Sequence, residues 1–80
     1  MSILTSRVEI TFTEEGDQTR AEAVLDQGGE RFHGVGQAKR APGDPDVPVI
    51  GEELAAARAL ADLSHKLLEA AAERVDAFRN

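Results

Sequence analysis

Residues 7–13 (RVEITFT) alternate between polar and apolar. Val8, Ile10 and Phe12 fall on one side, with Arg7, Glu9, Thr11 and Thr13 on the other. That period of two predicts a half-buried strand. Glu14, Glu15, Gly16 and Asp17 form a polar turn, and residues 18–25 alternate again, with Ala21, Ala23 and Leu25 inward and Arg20 and Glu22 outward. Asp26-Gln27-Gly28-Gly29 supplies residues suited to a second tight turn. A third strand over 30–40 places Phe32, Gly34, Gly36 and Ala38 on one face and Arg31, His33, Val35, Gln37 and Lys39 on the other. Short turns between successive strands favour an antiparallel meander.

Proline then interrupts the pattern. Residues 41–50 carry Pro42, Pro45 and Pro48, which oppose a helix, while Val47, Val49 and Ile50 suggest that the segment lies against the protein. From 52 to 78 the chain is alanine-rich without glycine or proline, which predicts one long helix with Gly51 as its N-cap. At about 100° per residue, Leu54, Ala57, Leu60, Ala61, Ser64, Leu67, Leu68, Ala71, Val75 and Phe78 make one apolar stripe. The expected fold is α+β: a three-stranded antiparallel meander backed by a C-terminal helix, in a single domain.

Lengths then raise a problem. A helix of about 27 residues is roughly 40 Å long, whereas strands of seven to nine residues span only about 23–30 Å. The first helical turns would cover the sheet, with alanine facing glycine. The last would extend past it and carry Leu67, Leu68, Val75 and Phe78 uncovered, with Leu63 widening the patch. Composition adds to this. Apolar residues are 41% of the 80, but 13 are alanine, so little bulk is available for a core. A chain this short buries only about 60% of its unfolded surface. We therefore expect a homodimer with Leu63, Leu67, Leu68, Val75 and Phe78 at its interface.

Cysteine is absent, which excludes disulfides and thiolate chemistry and fits a cytoplasmic location. No apolar run approaches the roughly 20 residues of a membrane span, and MSILTSRVEI has no secretory-signal pattern. Asp62, His65 and Glu69 share a helix face at i, i+3 and i+7, but no second helix offers further ligands, so we expect a solvated face and no metal. His33 has no evident nucleophile, and Ser64 and His65, adjacent on a helix, point about 100° apart. Gly34-Val35-Gly36 lies inside a strand, where it is no phosphate loop. No catalysis, cofactor or small-molecule substrate is expected.

The net charge of −6 disfavours anionic partners as a whole. Locally, Arg20, Arg31, His33, Lys39 and Arg40 gather on the outer sheet face and its rim, opposed by Glu9 and Glu22. We read this face as solvated or partner-facing. The alternative is a ribosome-associated factor gripping RNA phosphates through those five residues. The face has no aromatic side chain for stacking on bases, because Phe12 and Phe32 point inward and Phe78 is on the helix.

The segments RVEITFTEEGDQTRAEAVL, HGVGQAKR and above all IGEELAAARALADL carry a resemblance. The chain is similar, over nearly its whole length, to a family of short bacterial proteins of unknown function with a double-stranded-RNA-binding-domain-like fold. That resemblance implies the same meander and helix, and homodimers. The family is also likened to ribosome hibernation-promoting factors, which implies a role in stress or dormancy.

Overall fold

The computed structural model describes residues 1–79. Three strands, β1 (Val8–Glu15), β2 (Gln18–Gln27) and β3 (Glu30–Lys39), form one antiparallel sheet in the order β1-β2-β3, and α1 (Pro48–Arg79) follows. This is the expected α+β meander with a C-terminal helix. Its hairpins are tighter than expected. Glu15 pairs with Gln18 across Gly16-Asp17, and Gln27 pairs with Glu30 across Gly28-Gly29. Gly28 and Gly29 have φ of 59° and 82°. A two-residue turn with both residues left-handed suits the twist of a hairpin, and glycine adopts it without strain.

The helix starts earlier than expected. Its first residue is Pro48, not Glu52, and Gly51 lies inside it instead of capping it. The proline that opposes a helix interior is well placed at the first helical position, where its missing N–H has no intrahelical partner to lose. The connection is thereby shortened to residues 40–47. Gly51 has a different use, since a Cβ there would sit 2.9 Å from Thr19 Oγ1 on β2.

The core is small and made of small side chains. Ala21, Ala23 and Leu25 of β2, Ala38 of β3, and Ala55, Ala59 and Leu63 of α1 are buried, with Ile10, Phe32 and Leu67 packed against them. Gly34 and Gly36 bring the helix into backbone contact with the sheet. A Cβ on Gly36 would collide with main-chain atoms of Ala55 and Ala59, and one on Gly34 with those of Ala59 and Leu63. That depth decides which helix face is buried. The expected stripe is rotated out: Leu54 and Leu60 are 45% and 41% exposed, while Ala55 and Ala59 are completely buried. Only a side chain as short as alanine's fits where the helix backbone meets strand backbone, so the bulkier leucines flank the contact.

Candidate functional site

The helix rests over β2 and β3, and its treatment of the two sheet edges differs. Along the free edge of β3, three helix side chains one turn apart bond to the main chain. Arg58 Nη1 donates to the Gln37 carbonyl at 2.7 Å, Val35 N–H donates to Asp62 Oδ2 at 2.9 Å, and Lys66 Nζ donates to the His33 carbonyl at 2.7 Å. Lys66 also stands 3.2 Å from Asp62, and Arg74 reaches Glu30 where the strand begins. The Val35 N–H, followed by Lys66, holds the Asp62 carboxyl below its usual range. These side chains occupy hydrogen-bonding groups that an edge strand otherwise offers to another chain.

At β1 the strand is far more open. Every residue of the strand except Ile10 is exposed, and its inward side chains Val8 and Phe12 are 42% and 41% exposed. Arg58 faces the β3 edge, so by helical rotation Leu60 lies on the opposite flank, toward β1. The helix also runs past the sheet. Its 32 residues correspond to about 48 Å, while strands of eight and ten residues span only about 27–33 Å. Residues 71–79 are all exposed. Among the expected interface residues, Leu68, Val75 and Phe78 are exposed and Leu67 is half-buried against the core. Leu63 does not belong to that surface. It is 3% exposed and packs beside Gly34, on the buried ridge set by Ala55 and Ala59.

Of the five residues singled out for RNA, four lie on the sheet and Arg40 follows it, and neighbouring acids oppose Arg31, His33 and Arg40. Arg31 binds Asp26 through both carboxylate oxygens, at 2.8 and 3.2 Å, and its hydrogen bond holds the Asp26 carboxyl below the usual range. His33 Nδ1 is 3.8 Å from Glu22 and Arg40 Nε is 4.0 Å from Asp46. Arg20 lies beside Thr13 on β1 and Gln37 on β3. Lys39, at the last position of β3, and Arg40 border a cleft of about 330 Å³ between the sheet end and the start of α1, walled by Ala38, Val47, Ile50 and Leu54. The helix triad does not converge. Asp62 turns to the β3 edge, and His65 pairs with Glu69 at 2.6 Å. No helix among the described residues is long and apolar enough to cross a membrane.

Two signals in the sequence could have revealed the edge closure. Arg58, Asp62 and Lys66 repeat at a spacing of four, and the helix they occupy stands over two in-register glycines that force close approach. The expectation of a solvated face at Asp62, His65 and Glu69 assigns Asp62 no strand neighbour, whereas it accepts the Val35 N–H.

The family model described as Rv2632c-like matches residues 4–80. The chain belongs to the Rv2632c-like family. One relative, the uncharacterized protein Rv2632c of Mycobacterium tuberculosis, is 38% identical over 73 residues, covering 91% of this chain and 78% of the relative. Another, the uncharacterized protein Mb1767 of Mycobacterium bovis, is 40% identical over 70 residues, covering 88% and 74%. A crystal structure of Rv2632c superposes with a TM-score of 0.89 at 36% identity, covering 96% of this chain and 92% of that one. The Rv2632c-like family thus has mycobacterial members, of which Rv2632c shares the meander and long helix in its crystal structure.

Proposed function

We propose that this member of the Rv2632c-like family is a non-enzymatic association module that works as a homodimer and through it binds a macromolecular partner. One observation carries the reading. The buried hydrophobic side chains are five alanines and two leucines, while larger ones, including Val8, Phe12, Leu54, Leu60, Leu68, Val75 and Phe78, stand exposed among the described residues. A core so poor in bulk gains most from a second copy that removes those side chains from water. With this reading we keep the stress- or dormancy-related setting that the family resemblance implies.

Sedimentation velocity at micromolar concentration tests the homodimer, which should sediment at twice the chain mass. A stable monomer would contradict it. In the same experiment, co-sedimentation with structured RNA at low salt separates the partner classes. Binding that weakens steeply with added salt, and is lost on charge reversal at Lys39 and Arg40, would make phosphate the ligand.

A further inference from the structure

We infer that two copies of the chain join edge to edge through β1, continuing the meander into a six-stranded sheet with a molecular two-fold axis at Thr11. The inference rests on the homodimer proposed above and names its interface.

The two edges of the sheet set the direction. At β3, the Gln37 and His33 carbonyls and the Val35 amide are occupied by Arg58, Lys66 and Asp62 of the same chain. At β1, the other edge, seven of eight residues are exposed and none is proline or lysine, and the helix side chains seen bonding to strand main chain, Arg58, Asp62 and Lys66, all do so at β3. A long strand left open in this way is a template for another strand. The occupant is a second β1, because the strand is complementary to itself in one antiparallel register.

In an antiparallel pair, opposed residues share a face, so the axis must pass through a residue and pair even positions with even and odd with odd. An axis at Thr11 sets Arg7 against Glu15 of the second copy and Ile10 against Phe12, and repeats both pairs by symmetry. Opposite charges then meet on the outer face; on the helix side Ile10 meets Phe12 at the centre, and Val8 lies against Glu14 at each end. An axis at Phe12 would instead set Glu9 against Glu15 and Ile10 against Glu14. An axis at Ile10 would leave Arg7 facing Thr13 and so lose the ion pair. Cross-strand pairs of like charge disfavour the first of these alternatives, and the missing charge partner disfavours the second. With the axis perpendicular to the sheet, both helices lie on one face. Half-buried Ile10 and exposed Phe12 of the two copies then form an apolar floor between them, with each Val8 at its ends beside Glu14 of the other copy.

The chain has no cysteine, so a single introduced thiol reports its own position. With the axis at Thr11, the two Thr11 Cα atoms stand about 4.5–5.5 Å apart, within the span a disulfide bridges. Thr11 is exposed, so Thr11→Cys leaves the core untouched. Mild oxidation of Thr11→Cys should yield a covalent dimer, while Thr13→Cys, displaced from its own copy along the strands, should not. Arg7→Glu and Glu15→Arg should each weaken dimerisation about tenfold, and the double variant should regain it. A protein that sediments as a dimer yet does not crosslink through Thr11→Cys, or crosslinks instead through Phe78→Cys, would overturn the β1 interface and leave the homodimer standing. A monomer at every concentration would overturn both.

Discussion

Gly36, with Gly34, marks a very close approach of strand to helix, lying directly against the main chain of Ala55 and Ala59. The neighbours of an added methyl there are backbone atoms, which cannot rotate away as a side chain can. Gly36→Ala should therefore cost about 3 kcal/mol, the upper end of ordinary overpacking, as a fall in the urea midpoint without loss of secondary structure below it. Asp62 offers a second test at this scale. Its carboxylate accepts the Val35 N–H and pairs with Lys66, so its folded pKa lies below its ordinary value near 3.8. A carboxyl lowered by folding stabilises the fold fully above that ordinary value and loses its contribution as pH falls through the lower, folded one. Asp62→Asn should flatten this part of the acid-unfolding curve. Hydrogen exchange in the same variant should show the Val35 amide less protected, with the amides between β2 and β3 unchanged. Undiminished Val35 protection would mean that Asp62 does not guard the edge.

At the scale of elements, the strands were legible because alternation and glycine turns depend on local chemistry that neighbours seldom override. Their pairing in order followed from loops too short for any other connection. The helix was legible as an element but not as a face. Ranking by hydrophobicity points to Leu54 and Leu60, whereas burial goes to Ala55, Ala59 and Leu63 because Gly34 and Gly36 admit the helix so deeply. Pro48 was read as a barrier when its missing N–H suits a helix start. The overhang of α1 was legible from length alone. The closure of the β3 edge was not, since the spacing of Arg58, Asp62 and Lys66 points to a strand only once Gly34 and Gly36 are seen to seat the helix on β3.

For the whole molecule these features combine into a lopsided body, 54 Å in its longest dimension and 19 Å in its shortest. One sheet edge is closed by its own helix. The other is open, as are the apolar side chains beside it. The Rv2632c-like fold of this chain therefore holds a core that reads as half of a larger one. If so, folding and association are a single equilibrium, and stability depends on protomer concentration by mass action. Thermal unfolding followed across a hundredfold range of concentration, from about 1 to 100 μM, tests this most directly. The account predicts a midpoint that climbs steadily with concentration. A midpoint that stays constant over the whole range would show that the single chain completes its own core.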